Sequence, residues 1–130
     1  MGPLAPADPE DALMTMWALW AAVEVEPHSI QVLNHRLSKP PEERDPEAAA
    51  AAIRALRAPF AVLDKTLARS GFIVGARFTV ADINTAEVLR YAMPAPELFE
   101  AAPRVRAWLA ARHARPAFKA MMAAREMEPL

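Results

Sequence analysis

Residues 78–83 read Phe78-Thr79-Val80-Ala81-Asp82-Ile83 and contain both halves of a helix start. Thr79 lies at the N-cap and Asp82 three residues later, so each side chain can accept a hydrogen bond from the other residue's backbone N–H, as in a capping box. Phe78 precedes the cap and Ile83 is the fourth helical residue, which is the spacing of a hydrophobic staple. A carboxylate beside a hydroxyl is also typical of a catalytic base and its target. The helix start explains all four residues, so we predict that Phe78, Thr79, Asp82 and Ile83 are structural.

Proline and glycine mark the other helix boundaries. Asp8-Pro9 and Asp45-Pro46 each place an N-cap residue before a proline at the first helical position. We expect Pro27 to kink or end the first helix, with residues 29–37 continuing in a new direction. Gly71 fits the position just after the end of the second helix, as a C-terminal cap.

The apolar residues recur with helical spacing between these boundaries. Steps of three and four residues predict a buried face on the second helix, and Pro59 should bend that helix. Pro103 and Pro116 open two further helices. The predicted inward residues, in chain order, are Ile53, Leu56, Phe60, Leu63, Leu67, Val105, Trp108, Leu109, Phe118, Met121 and Met122.

The predicted fold is an all-α bundle of five to six helices, with the Pro59 and Thr79 helices at its centre. Strand-like alternation of apolar and polar residues is nearly missing. The chain has 130 residues, which is the usual size of one domain. It is 54% hydrophobic and 24% charged, so it can build a core.

Composition excludes several classes of function. The formal net charge is −1, which disfavours a general nucleic-acid binder because phosphate contacts need an excess of Lys and Arg. There is no cysteine, hence no disulfide or thiolate chemistry. No export signal and no apolar run long enough to span a bilayer is present, so we expect a cytoplasmic protein without membrane contact. None of the 3 glycines lies in a phosphate-binding pattern.

Three stretches carry a family resemblance. Residues 71–83 resemble the Gly-x-x-Phe-Thr-x-Ala-Asp signature of the C-terminal domain of glutathione S-transferases. Residues 103–109 with 114–118 are similar to the family's closing Trp and Arg-Pro motifs, and residues 17–20 with 24–27 are similar to the first helix of this domain in bacterial members. In order and spacing, the resemblance covers Leu4 to about Arg125.

The resemblance implies a domain layout and an activity. Residues 1–9 correspond to an interdomain linker remnant, 10–126 to the helical domain and 127–130 to a tail. The family's N-terminal thioredoxin-like domain, which binds the co-substrate glutathione and activates its thiol, is then the missing partner. The parent protein is expected to conjugate glutathione to an electrophile, whereas the isolated chain, with no cofactor of its own, is expected to be inactive. A truncated protein and a natural stand-alone module both remain open, and a start so close to the linker favours truncation.

The resemblance also nominates substrate-binding residues. The first helix of this domain lines the electrophile pocket in the family, which points to Trp17, Trp20 and Glu24, with Glu24 orienting a polar group or the amino end of glutathione. The alternative is core packing by the two indoles and a solvated acid. No catalytic residue is expected in this chain.

Other chemistry-bearing residues have plain interpretations. His28, His35 and His113 are expected to be surface histidines, and no spacing indicates a metal site. The basic residues near the C-terminus are expected to form a solvated helical face: Arg104, Arg106, Arg112, Arg115, Lys119 and Arg125.

Two further expectations concern association. The face that would meet a missing domain should be apolar and exposed, which predicts a homo-oligomer. A non-catalytic assembly module of the same fold and a carrier of hydrophobic ligands are the alternative functions.

Overall fold

The computed structural model describes residues 9–116, 119–120 and 123–124, and every regular element among them is helical. The helices are α1 (Pro9–Trp20), α2 (Glu26–Leu33), α3 (Pro46–Leu67), α4 (Val80–Arg90), α5 (Pro96–Glu100) and α6 (Pro103–His113). The predicted all-α bundle is therefore confirmed. The predictions for Phe118, Met121 and Met122, for the linker residues 1–8 and for the tail 127–130 lie outside the described residues.

Helices α3 and α4 hold the bundle together. Helix α3 packs against α2, α5 and α6, and α4 packs against α1, α2 and α6. The predicted inner faces of α3 and α6 are confirmed, since all of their apolar residues are buried: Ile53, Leu56, Phe60, Leu63, Leu67, Val105, Trp108 and Leu109. Phe60 meets Phe99 of α5 edge to face, with the ring centroids 5.1 Å apart.

The first helical segment does not end at Pro27, and the expected kink there stays a prediction. Helical backbone continues from Pro9 to Ser38 through two π turns, Ala21–Val25 and Asn34–Ser38. Proline has no N–H, so the carbonyl of Val23 has no donor four residues later. The backbone widens instead of breaking, and the N–H of Glu26 donates to the carbonyl of Ala21, five residues back.

The two ends of α3 follow local chemistry. Asp45 Oδ1 accepts hydrogen bonds from the N–H groups of Glu47 and Ala48, at 2.9 and 3.3 Å. At the other end, Gly71 adopts φ +82° and its N–H donates to the Leu67 carbonyl at 2.8 Å. Only glycine takes this left-handed conformation without strain, so Gly71 stops the helix and turns the chain into the loop before α4.

Candidate functional site

Asp82 is a completely buried carboxylate that joins three segments of the chain. Its Oδ2 accepts from the Thr79 N–H at 3.0 Å and from the Thr79 hydroxyl at 3.3 Å. Its Oδ1 accepts from Trp108 Nε1 at 2.8 Å and from the Ile73 N–H at 3.4 Å. Thr79 Oγ1 accepts from the Ala81 N–H at 3.3 Å, and the capping box is present. With both oxygens engaged and no exposure to solvent, Asp82 fixes α4 against α6 and the preceding loop.

The two staple residues lie nearer the surface. Phe78 is half-buried, and Ile83 is exposed. The Phe78 ring contacts two guanidinium groups, with the carbon of Arg115 at 3.5 Å and that of Arg112 at 5.7 Å from the ring centroid. The staple contact between Phe78 and Ile83 stays a prediction.

The three candidate substrate-binding residues are not equivalent. Trp17 and Trp20 meet edge to face, with centroids 4.9 Å apart and planes at 77°. Trp17 is 8% exposed and belongs to the core, while Trp20 is half-buried against it. Glu24 is exposed in the first π turn. The structure therefore brings the two indoles together and leaves Glu24 on the surface.

An open cleft borders Trp17 between α1, the end of α3 and the loop before α4. It has a volume of about 370 Å³. Its walls are mainly apolar, including Leu13, Met16, Trp17 and Phe72, and the Arg69 side chain is the charged group among the described lining residues. Such a cleft suits a flat apolar molecule. Its described lining holds no carboxylate, imidazole or thiol, and the hydroxyls of Thr66 and Ser70 donate to backbone carbonyls, so the cleft offers binding rather than a base or nucleophile.

The loop beside this cleft is held at three points. Ser70 Oγ donates to the Gly75 carbonyl at 2.7 Å. An ion pair between Arg77 and Glu10 ties the loop to α1. Gly75 takes φ +64°, a left-handed conformation that a side chain would strain. The cleft wall is therefore built by residues 70–77 as well as by the helices.

An exposed apolar face follows α1 and the first π turn. Met16, Leu19 and Val23 are 47%, 62% and 64% exposed. Their spacing of three and four residues places them on one side of the helical segment. Val80 and Ile83 of α4, which packs against α1, are exposed as well. A group of exposed apolar side chains of this kind is typical of a contact with another protein or domain.

Sequence reasoning missed a cap supplied across the bundle. Ala102 precedes α6 and has no side chain that can accept a hydrogen bond. Asp64 of α3 takes that role, because its Oδ1 accepts from the N–H groups of Arg104 and Val105 at 2.8 and 3.1 Å. Its Oδ2 also pairs with the Arg104 guanidinium at 3.3 Å. The only signal in the sequence was the lack of a local cap before Pro103.

A second cross-link joins the second π turn to α5. Arg36 donates to both carboxylate oxygens of Glu97 at 2.8 and 2.9 Å and to the Pro94 carbonyl at 3.2 Å. Arg57 of α3 donates to the Glu97 carbonyl at 3.1 Å. The hydrogen bonds from Arg36 lower the pKa of the Glu97 carboxyl, and the same bonds raise the pKa of Arg36.

Two predictions about charged residues need correction. Arg112 is 9% exposed rather than solvated, whereas Arg104, Arg106, Arg115 and Lys119 are exposed as expected and Arg125 lies outside the described residues. The three histidines are half-buried rather than fully at the surface.

One of the histidines, His35, makes a structural hydrogen bond. His35 Nδ1 accepts from the Asp45 N–H at 3.0 Å. Burial lowers the pKa of the His113 imidazole, and the charges of Arg90 and Arg112 lower it further. Within the part of the chain that the structure describes, no group of three metal-binding side chains comes together, and no helix is long and apolar enough to cross a membrane.

Comparison with known proteins gives one family. The family model described as "Glutathione S-transferase, C-terminal domain" matches residues 46–111. Glutathione S-transferase III in apo form is 29% identical over 99% of this chain and 62% of its own, with a TM-score of 0.81. The theta class glutathione S-transferase of Xanthomonas axonopodis pv. citri is 29% identical over 87% of this chain and 60% of its own, with a TM-score of 0.73.

A third structure shares the fold at lower identity. Ure2p5 from Phanerochaete chrysosporium, cocrystallized with 1-(S-glutathionyl)-2,4-dinitrobenzene, is 24% identical over 95% of this chain and 62% of its own, with a TM-score of 0.76. The chain thus spans about three fifths of these solved structures. No curated protein matches the sequence.

Proposed function

The chain belongs to the glutathione S-transferase C-terminal domain family, and we propose that it is the helical part of a cytoplasmic glutathione transferase. In this role it shapes the site of the electrophile that the glutathione thiolate attacks. The thiol is bound and activated elsewhere, since the cleft beside Trp17 has no carboxylate, imidazole or thiol among its described lining residues, and the hydroxyls of Thr66 and Ser70 there donate to backbone carbonyls. Glutathione is a co-substrate of the whole enzyme and not a cofactor of this chain.

The observation that carries the proposal is the exposed apolar face of Met16, Leu19 and Val23 on a chain that spans about three fifths of its structural relatives. The part of those relatives that this chain does not cover implies a thioredoxin-like domain as the partner. Docked on the helical bundle, it would deliver a thiolate of lowered pKa to an electrophile held by this chain. In the absence of that domain, we expect a second copy to cover the face.

The electrophile contacts are assigned to the two indoles. Their edge-to-face pair offers flat apolar surface, and Trp20 is accessible where Trp17 is buried. Aromatic electrophiles suit such a surface because ring contacts add to apolar burial. Glu24, exposed in the following turn, would orient a polar group of the electrophile or the amino end of glutathione.

The proposal is tested by supplying a partner domain. The chain from Pro9 onward is fused to the thioredoxin-like half of glutathione S-transferase III. Conjugation of glutathione to 1-chloro-2,4-dinitrobenzene is then measured for the fusion and for the 130-residue chain alone. We expect activity in the fusion and only the background rate in the isolated chain. A fusion that is retained on glutathione resin but does not conjugate would make the chain a non-catalytic module.

The assignment of Trp20 to the electrophile site is tested separately, by the KM values of the active fusion. Trp20→Ala should raise the KM for 1-chloro-2,4-dinitrobenzene about tenfold and leave the KM for glutathione nearly unchanged, because it removes apolar contact area from one substrate only. Val62→Ala removes an exposed apolar side chain on α3 and serves as the control. Equal effects of the two substitutions on the electrophile KM would remove Trp20 from the site.

A further inference from the structure

The side of the first helical segment that carries Trp20 combines an aromatic ring with a carboxylate. The buried residues of this segment recur every four positions, at Trp17, Ala21, Val25 and Ser29. Ala21 and Val25 bound the first π turn, in which the N–H of Glu26 donates to the carbonyl of Ala21, five residues back. Residues four apart therefore stay on the same side of the segment.

The positions next to this buried stripe form a second row, the Trp20 row, which consists of Met16, Trp20, Glu24 and His28. Trp20 is half-buried, which leaves part of its ring accessible to a ligand. Glu24 is exposed and follows Trp20 by four residues, so the two side chains are neighbours along the row. Glu24 forms no ion pair with another described residue. An accessible indole and an available carboxylate therefore lie side by side.

The charge of this part of the chain is negative. Residues 9–27 include no lysine or arginine, and their acidic residues are Glu10, Asp11, Glu24 and Glu26. Arg77 of the loop before α4 is already paired with Glu10. Arg69 lines the cleft beside Trp17, and Glu24 is not among the described lining residues of that cleft. A ligand next to Glu24 therefore meets a negative charge that no described cation neutralises.

An indole beside a carboxylate is suited to an organic cation. The face of an aromatic ring carries partial negative charge, and tryptophan attracts cations more strongly than the other aromatic side chains. The carboxylate adds a charge interaction, which is modest because Glu24 is exposed and salt screens it. Trp17 packs edge to face against Trp20, with centroids 4.9 Å apart, and this contact holds the ring in place. Less conformational entropy is then lost when a ligand binds.

We propose that the Trp20 row binds small organic cations with an aromatic body, and that the cationic group lies between Trp20 and Glu24. A quaternary ammonium group or a protonated amine would contact the indole and the carboxylate together. The aromatic body would extend toward Met16, which is 47% exposed. Cationic electrophiles would then be the preferred substrates of the site, and this consequence rests on the proposed transferase function. The binding itself involves only residues of this chain and is tested on the chain alone.

The experiment compares two ligands of equal shape, 4-(trimethylammonio)benzyl alcohol and 4-tert-butylbenzyl alcohol, which differ in the replacement of a cationic nitrogen by carbon. Each is titrated into the isotopically labelled 130-residue chain, at a concentration at which sedimentation velocity shows the monomer. Dissociation constants are taken from indole and amide chemical shifts. We expect the cation to shift the Trp20 indole and the Glu24 amide. It should bind about tenfold more tightly than the neutral ligand, which is the combined effect of an exposed cation–π contact and a surface charge pair.

Substitutions assign the selectivity to the two residues. Glu24→Gln should weaken the cation about threefold and leave the neutral ligand unchanged, because it removes the charge and keeps the size of the side chain. Trp20→Leu should weaken both ligands and lower the preference for the cation to about threefold, because the apolar contact remains in part and the ring is lost. Glu26→Gln is the matched control, since it removes the same charge from the same segment two positions beyond Glu24, and it should change neither constant.

Three results would reject the site. The first is equal affinity for the cation and the neutral ligand. The second is a Glu24→Gln effect no larger than that of Glu26→Gln, which would indicate a general attraction to the acidic segment. The third is a set of shifts that leaves the Trp20 indole unchanged. Because Glu24 is exposed, we expect its variant to fold, and unchanged amide spectra in the absence of ligand verify this.

The outcome is distinguishable from that of the proposed function. The fusion experiment measures conjugation of a neutral electrophile, so a chain that does not prefer the cation leaves that experiment unaffected. An inactive fusion, in turn, leaves the dissociation constants of the isolated chain as they are and removes only the consequence for substrates.

Discussion

Asp82 carries an unusual number of buried contacts for one side chain, and this makes its removal a strong test. Asp82→Ala would strip acceptors from the Thr79 and Ile73 N–H groups and from the Trp108 indole. Each buried donor left without a partner costs about 1–3 kcal/mol, so we expect the free energy of unfolding to fall by about 3 kcal/mol or more in urea denaturation. Thr79→Ala, which removes the N-cap acceptor and one hydroxyl donor to Asp82, should cost about 1 kcal/mol.

Asn84→Ala provides the control for these two variants, because Asn84 is exposed on the same helix. It should change the unfolding free energy by less than about 0.5 kcal/mol. An Asp82→Ala protein as stable as the Asn84 variant would show that the hydrogen bonds to Asp82 contribute nothing.

The capping box was predictable from the sequence around Asp82, whereas the hydrogen bond from the Trp108 indole to Asp82 was not. Thr79 and Asp82 are three residues apart, so the helix geometry alone brings their groups together. Trp108 is separated from Asp82 by 26 positions, and only the packing of α6 against α4 joins them. The same reason explains why Arg112 was expected in solvent. No pattern within α6 predicts that the Arg112 side chain contacts Phe78, which lies in a loop distant in sequence.

At the scale of elements, α6 depends on α3 for its cap. Asp64→Ala should lower the unfolding free energy by about 1 kcal/mol, the usual cost of losing an N-cap acceptor. It should also speed hydrogen exchange at the amides of Arg104 and Val105, because both amides donate hydrogen bonds to Asp64 Oδ1. Lys65→Ala, at the next and exposed position, is the control. Indistinguishable exchange in the two variants would contradict the cap.

The link between the second π turn and α5 predicts a pH dependence. Arg36 lowers the pKa of Glu97 in the folded chain from its ordinary value of 4.5. The contribution of the pair is therefore fully present above about pH 4.5 and is lost as the pH falls through the folded pKa. Both side chains are more than one third exposed, so solvent screening limits this contribution to at most about 1 kcal/mol.

Glu97→Gln measures that contribution. Its unfolding free energy should lie below that of the unsubstituted chain at pH 7, and the difference should shrink as the pH falls below 4.5 and through the lowered pKa of Glu97 in the folded chain. Glu100→Gln on the same short helix is the control. A difference that stays constant with pH would mean that the Glu97 carboxylate stabilises nothing.

The first helical segment shows where element prediction stops. Pro27 was expected to kink or end the helix because proline removes a backbone donor. The chain widens into a π turn before Pro27 and remains helical to Ser38, so the helix does not end at Pro27, and the kink stays a prediction. The packing of α2 against α3 and α4 holds this segment in place. The effect of proline on its own helix, which is all that the sequence pattern describes, does not include that packing.

At the scale of the whole molecule, the fold was predictable because each inner face repeats with helical spacing. The candidate site was only partly predictable. Trp17 and Trp20 are three residues apart and meet as helical geometry requires. The cleft beside them also needs Phe72 and Arg69, which reach it through the end of α3 and the loop held by Ser70. Residues that line a site from several elements have no common signal along the chain.

The last prediction concerns the exposed face of α1. Water disfavours a row of bare apolar side chains, so the isolated chain should associate through Met16, Leu19 and Val23 as its concentration rises. Leu19→Glu with Val23→Glu would bury two unpaired charges in that contact and should raise the dissociation constant at least about tenfold in sedimentation velocity. Val62→Glu places one such charge on an exposed apolar position of α3 and should leave association unchanged. A chain that stays monomeric at millimolar concentration, or a Val62 variant that dissociates equally, would mean that this face is not the contact.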